Sequence, residues 1–171
     1  MKRALITLFA ISVVLMGCDY TSPYSGYPVN FVFDSTIHPY NQATSPGQFI
    51  SVRQGTNAGQ YTLTDAQGNT QTVNIPQIYL RQNKFYYGLG GLIIGTPMNT
   101  EARMWAFDWA CPNCDKAGCR VDIERTTGLA TCPECGVKFD LNSGGIAIEG
   151  KSRPMWQYRI VGSEDSRIVQ N

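Results

Sequence analysis

Histidine is almost missing from this chain: His38 is the only one in 171 residues. That scarcity removes most hydrolytic triads, histidine-rich zinc enzymes and histidine-ligated haem from consideration. His38 itself lies in a loop-like stretch, Thr36-Ile37-His38-Pro39, and reads as a surface or hydrogen-bonded residue. Charged residues are few, 16% of the chain, and nearly balanced at a formal net charge of +1. Such a balance argues against a nucleic-acid binder or a basic membrane-surface module. No segment carries a sustained helical stripe, and the uncharged apolar run at 4–16 is too short to span a bilayer comfortably. What the chain does have is 43% hydrophobic residues, enough for one ordinary domain at this length, and six cysteines as its chemical resource.

Lys2 and Arg3 ahead of the apolar run make residues 1–17 a signal peptide by pattern. The boundary Leu15-Met16-Gly17-Cys18 resembles the lipobox of bacterial lipoproteins. That resemblance implies diacylglyceryl attachment to the Cys18 sulphur, cleavage after Gly17 and acylation of the new terminus. The mature chain would carry 12 basic against 13 acidic side chains. Two or three acyl chains make release slow, at about 0.8 kcal/mol per buried methylene. The expected location is therefore the cell envelope, lipid-anchored to a bacterial membrane. Asp19 resembles an inner-membrane retention signal in some sorting systems, whereas other lineages read different signals. Residues 18–28, which include YTSPYSGYP, mix Pro, Gly, Ser and Tyr without periodicity and read as a tether.

Residues 29–171 alternate short β-prone runs with turn residues, which predicts an all-β domain. Strands are expected at 29–34, 49–53, 85–87, 92–94 and 104–108, with a hairpin formed by 61–64 and 70–75. A helical turn fits 76–83. Further strands are expected at 146–148, 157–161 and 167–169. Gly88-Leu89-Gly90-Gly91 looks like the start of a dinucleotide fingerprint, but Ile93 occupies the sixth position and no helix pattern follows, so a turn or bulge is expected.

The informative segment is Cys111-Pro112-Asn113-Cys114, then seventeen residues, then Cys132-Pro133-Glu134-Cys135-Gly136. Two residues between cysteines let a tight knuckle aim both sulphurs at one ion, and a second knuckle completes a tetrahedron. Each Pro fixes one backbone angle, and Gly136 can take the positive φ that turns N–H groups toward the sulphurs. Four thiolates on a divalent ion leave a local charge of −2, and Lys116, Arg120 and Lys138 are near enough in sequence to offset part of it. Residues 120–131 can cross over and back as a hairpin turning at Thr127-Gly128. Two other readings compete: structural disulfides, which exported proteins often form, and a thiol–disulfide redox pair, which would need a strand-to-helix setting.

Residues 105–161 resemble a Rieske domain. An aromatic strand, Trp105-Ala106-Phe107-Asp108, enters a Cys-Pro loop, and a second Cys-Pro loop continues as Gly136-Val137-Lys138-Phe139-Asp140-Leu141. Gly144 and Gly145 then turn the chain toward Pro154-Met155-Trp156-Gln157-Tyr158-Arg159-Ile160, which is similar to the family's closing strand. The resemblance implies an antiparallel β-sandwich with a small two-knuckle metal-binding subdomain at about 109–145. In that family each loop gives one cysteine and one histidine to a [2Fe–2S] cluster. Here Cys135 stands at the second histidine's position, and Asn113 and Cys114 stand around the first. Histidine ligation is what raises the Rieske potential, so an all-cysteine site would behave differently.

Rubredoxins and zinc ribbons, which share CPxCG knuckles, hold a single Fe or Zn in such a site. The sequence thus predicts a structural, non-catalytic metal, Zn, on Cys111, Cys114, Cys132 and Cys135, or alternatively an electron-transfer Fe(Cys)4 or all-cysteine [2Fe–2S] centre. The expected partners are the membrane, through the lipid, and an envelope protein. Cys119 is left over. In some Rieske proteins a second first-loop cysteine bridges to the second loop, but the receiving position here is Glu134. A buried free thiol is the first reading of Cys119, and substitution for Cys114 as a ligand the sharper one.

Overall fold

The computed structural model describes residues 26–82, 85–98 and 103–171. The expected signal peptide at 1–17, Cys18 and the tether as far as residue 25 lie outside the described residues. Among those described, no helix is long and apolar enough to cross a membrane. In chain order β1 (Val29–Phe33), β2 (Gln48–Gln54), β3 (Gln60–Thr64), β4 (Thr70–Asn74), a short helix α1 (Gln77–Gln82), β5 (Tyr86–Tyr87), β6 (Leu92–Thr96) and β7 (Trp105–Asp108) lead into the cysteine region. There β8 (Asp122–Glu124), β9 (Leu129–Thr131), β10 (Lys138–Asp140) and β11 (Ile146–Glu149) make a small sheet of their own. The chain then returns through β12 (Gln157–Ser163) and β13 (Ser166–Gln170).

The large sheet has the order β4-β3-β2-β6-β7-β12-β13-β1-β5, and the small one β11-β10-β9-β8. Every ladder between these strands is antiparallel. The large sheet folds back on itself: Phe31 of β1 meets Tyr61 of β3 edge to face at 5.3 Å, and Tyr87 of β5 lies 6.4 Å from Tyr61. The all-β, antiparallel expectation is met. One strand was not anticipated, β10, which forms because Phe139 turns inward to a fully buried site.

Side chains alternate across a strand, so a strand covered on both faces must be apolar at every position. The three central strands largely follow this, with Ser51, Thr96 and Asp108 as the buried polar exceptions. Ile50 and Val52, Leu92 and Ile94, and Ala106 face a first core shared with Phe31, Leu63 and Val169. Phe49, Ile93 and Phe107, one residue out of phase, face a second core made with Phe139, Leu141 and Met155. Cys111, Cys119 and Cys132 belong to that second core. The small sheet therefore sits on the outer face of the large one, and burial of the side carrying Ala130 and Phe139 fixes where the cysteines go.

Polar contacts set the angle of this docking. Arg125, in the turn between β8 and β9, donates from Nη1 to the Phe49 carbonyl at 2.9 Å and the Asp65 carbonyl at 2.7 Å. The Asn142 amide donates to the Thr127 carbonyl at 2.8 Å, while its Oδ1 accepts from the Met98 N–H at 3.0 Å.

Phe107 is fully buried between the two layers. Phe107→Ala should cost about 3–5 kcal/mol through lost transfer energy and the cavity left behind. Denaturant unfolding measures it, and a change below about 1 kcal/mol would mean that the small sheet does not depend on this contact.

Candidate metal centre

The two knuckles are built alike. The Asp115 N–H donates to the Cys111 carbonyl at 3.0 Å, and the Gly136 N–H donates to the Cys132 carbonyl at 2.9 Å. The residue after each second cysteine is left-handed, Asp115 at φ 52° and Gly136 at φ 72°. Glycine adopts this conformation without cost, and Asp is among the few side chains that tolerate it.

The knuckles differ in how their stems close. The Cys132 N–H donates to the Val137 carbonyl at 2.9 Å, whereas the Cys111 N–H donates to the Cys119 carbonyl at 2.8 Å. Ala110 and Arg120 form a bridge just outside that pair. The first stem therefore closes three residues later than the second, and Cys119 occupies the place that Val137 holds opposite. Facing positions in such a pairing bring side chains together.

All five described cysteines are free thiols rather than disulfides. Cys111 Sγ lies 3.7 Å from Cys135 Sγ, and Cys114 Sγ lies 3.7 Å from Cys132 Sγ. Each contact joins the first cysteine of one knuckle to the second of the other. Cys119 Sγ lies 3.4 Å from Cys132 Sγ. The four sulphurs that all fall within 4.8 Å of one another are those of Cys111, Cys114, Cys119 and Cys132. Cys111, Cys119 and Cys132 are buried, Cys114 is half-buried and Cys135 is exposed.

Burial pushes the Cys111 and Cys119 thiols up to about 12. Cys114 is also raised to about 12, first by its contact with Cys119 and then by burial. At Cys135 burial acts upward, but the Val137 N–H, the Asn113 side chain and neighbouring sulphurs outweigh it and bring the thiol down to about 6. A cation entering the site thus has to displace protons from the buried sulphurs.

The three cations expected to offset the thiolates are engaged elsewhere. Lys116 is 3.9 Å from Glu134 and Lys138 is 2.8 Å from Glu149. Arg120 donates from Nε to the Gly90 carbonyl, with its guanidinium 5.7 Å from the Trp109 ring centre. Backbone N–H groups do the work instead: those of Asn113 and Cys114 point at Cys111, and that of Val137 at Cys135. His38 lies apart from the sulphurs, lining a cavity of about 310 Å³ with Pro39, Asp65 and Asn69.

Asp108, at the end of β7, organises the approach to the first knuckle. Its Oδ2 accepts from the Leu89 N–H and the Tyr158 hydroxyl, both at 2.6 Å, and its Oδ1 from the Gly90 N–H at 2.9 Å and the Ala110 N–H at 2.8 Å. This contact explains the glycine run at 88–91. A Cβ at Gly88 would stand 2.4 Å from Asp108 Oδ2, and one at Gly90 would stand 2.5 Å from the Ala110 nitrogen. The segment is a turn wrapped on a carboxylate, as expected, and not a phosphate loop.

No protein-family model matches the chain, and no curated protein matches it. Two solved structures are similar over part of it. One is the cyanobacterial plasma membrane Rieske protein PetC3 from Synechocystis PCC 6803, 18% identical, covering 66% of this chain and 87% of that one with a TM-score of 0.39. The other, provisionally described as a small-subunit NADPH nitrite reductase oxidoreductase protein, is 8% identical and covers 72% of this chain and 98% of that one with a TM-score of 0.32. Both overlaps are partial, and the reading of the site rests on this chain's own residues.

Burial raises the Asp108 carboxyl, and its four donors pull it only part of the way back. A carboxyl raised in the folded state adds stability that is complete below its unfolded value of about 3.9 and is lost as pH climbs through the folded value. Asp108→Asn should destabilise by about 1–3 kcal/mol, because an amide NH₂ would face N–H donors. It should also flatten the decline in stability from pH 4 upward. Urea midpoints across that window test the point, and parallel curves for the two proteins would refute the assignment.

Proposed function

We propose that this chain is an exported lipoprotein, held on a bacterial membrane by lipid on Cys18, whose Rieske-like β domain binds a structural Zn²⁺ through Cys111, Cys114, Cys132 and Cys135. One observation carries the metal reading: two cross-knuckle sulphur pairs, each at 3.7 Å. A tetrahedral ion with metal–sulphur bonds of about 2.3 Å has sulphur–sulphur edges of about 3.8 Å. The observed contacts match that edge length, so a cation could replace the thiol protons without moving the sulphurs far.

The donor set does not fit the histidine-ligated Rieske cluster, since His38 lies at the β3–β4 hairpin and not at the knuckles. It fits a single tetrahedral ion. A two-iron cluster would interpose irons and sulphides between its thiolate pairs, and the two 3.7 Å cross-knuckle contacts favour one ion over that arrangement. Zn²⁺ bound by four thiolates has no open position and no redox change, so its task is to lock the knuckles together. The domain then acts by presenting a surface to an envelope partner and catalyses nothing.

A second reading has its own support. Cys135 is exposed, and an iron in the same site would have a ligand sulphur at the surface through which an electron can leave. That protein would be an electron carrier.

Metal analysis and an optical spectrum of protein purified without oxygen separate the readings. One zinc per chain and no colour supports the first, and a red-brown reducible centre supports the second. Metal-free protein overturns both. Cys132→Ser should abolish stoichiometric metal and loosen residues 111–141 while the large sheet survives, as read by amide exchange. Full metal content with unchanged melting would remove Cys132 from the ligand set. Cys18→Ala should accumulate an unprocessed precursor, and normal processing would defeat the lipid anchor.

A further inference from the structure

Five sulphurs converge where a tetrahedral ion takes four. We propose that the buried Cys119 is a reserve ligand: it can take the fourth coordination position from Cys135 and leave Cys135 as an exposed, ion-free thiol on a metal-loaded protein. The proposal rests on the four-thiolate reading above, and it concerns only which sulphur is fourth.

Placement is the first argument. Cys111, Cys114 and Cys132 are common to both possible sets of four. Cys119 Sγ lies within 4.8 Å of all three and 3.4 Å from Cys132. Cys135 Sγ approaches Cys111 at 3.7 Å from the other side. Cys119 is not an accidental neighbour, because its carbonyl closes the stem of the first knuckle on the Cys111 N–H at 2.8 Å. The same pairing places the Cys119 backbone beside the first knuckle, from which its sulphur reaches Cys132.

Room to move is the second. Cys119 is held on its N-terminal side by a single turn, its N–H donating to the Lys116 carbonyl at 3.1 Å. Next to it, a Cβ built on Gly118 meets nothing within 4 Å. That open space lies on the exposed side of the turn, while the Cys119 side chain packs with Cys111 and Cys132 in the second core. Exposure is the third. Of the two candidates for the fourth position, Cys119 is 2% exposed and Cys135 lies on the surface. Exchange would therefore seal the ion inside and put a thiol outside.

The exchange moves no electrons. The bond from the ion to the Cys135 sulphur breaks, the bond to the Cys119 sulphur forms, and the Cys119 proton passes to solvent or to Cys135. Released Cys135 is then open to attack on a small disulfide. Its thiolate forms a bond to one sulphur, the disulfide's own bond breaks, and the other half leaves as a thiolate. The site would accept such a modification without losing its metal.

The test uses full-length zinc-loaded protein, zinc content by mass, and the aromatic disulfide 5,5′-dithiobis(2-nitrobenzoate) as probe. In the unsubstituted protein one thiol should react ahead of the others, map to Cys135 by peptide mass, and leave one zinc bound. Zinc lost in step with that first thiol would overturn the proposal, and this readout needs no substitution. Cys119→Ser and Cys135→Ser should each retain one zinc, and in Cys119→Ser the modification of Cys135 should now expel it. The double variant should bind none. Zinc lost from either single variant makes the fourth ligand fixed and overturns the exchange, while the four-thiolate reading stands. Zinc retained by the double variant overturns both.

Discussion

Thiolates packed edge to edge repel one another, and an apolar surround makes the repulsion worse, because nothing screens it. Three of the five sulphurs here are buried among Phe139, Leu141 and Met155. Burial makes Cys111 and Cys119 hold their protons tightly, and a cation that takes those protons away repays the desolvation. Everything else about the C-terminal half follows from arranging that exchange. The knuckles turn N–H groups inward, the stems bring the sulphurs to one place, and the small sheet presses the whole group onto the large one.

The large sheet serves as a wall with two usable sides. A strand period of two sends Ile50, Leu92 and Ala106 one way and Phe49, Ile93 and Phe107 the other. One side closes on the tyrosine- and phenylalanine-rich end strands, and the opposite side receives the knuckles. The metal centre thus rests on three central strands, the least deformable part of an antiparallel sheet, and not on loops alone. Asp108 adds a second support where β7 ends. A carboxylate collecting four donors fixes the Gly88–Gly91 turn, Tyr158 and the start of the first knuckle in one arrangement.

Much of this was legible in the sequence. Alternation located the strands, glycine and asparagine located the β3–β4 hairpin, and the twin Cys-Pro-x-Cys spacings located both knuckles. Gly128 turns the crossover hairpin as expected, at φ 72°. Short-range pattern failed where partners are distant in the chain. The inward turn of Phe139 makes β10 a strand, but three residues between a glycine-containing knuckle and a turn show too little alternation to announce it. From sequence Cys119 reads as a spare buried thiol or a stand-in for Cys114, since the first stem closes three residues later than the second and no motif spacing records that. A cysteine eight residues after the first of a knuckle, followed by a basic residue able to pair across the stem, was the available signal. Of the cations read as near the sulphurs in sequence, Lys116 and Lys138 pair with Glu134 and Glu149, partners that sequence proximity alone does not announce.

The start of the described chain is fastened beside the same knuckle. The Tyr27 hydroxyl donates to Asp115 Oδ1 at 2.8 Å, and its ring meets Trp156 edge to face at 5.2 Å, with Arg153 stacked on the other partner at 4.2 Å. Eight residues lie between Cys18 and Tyr27, and the nine residue steps, fully extended, reach about 30 Å. Were Cys18 lipidated as proposed, this reach would keep the knuckle end of the domain within about 30 Å of the bilayer surface.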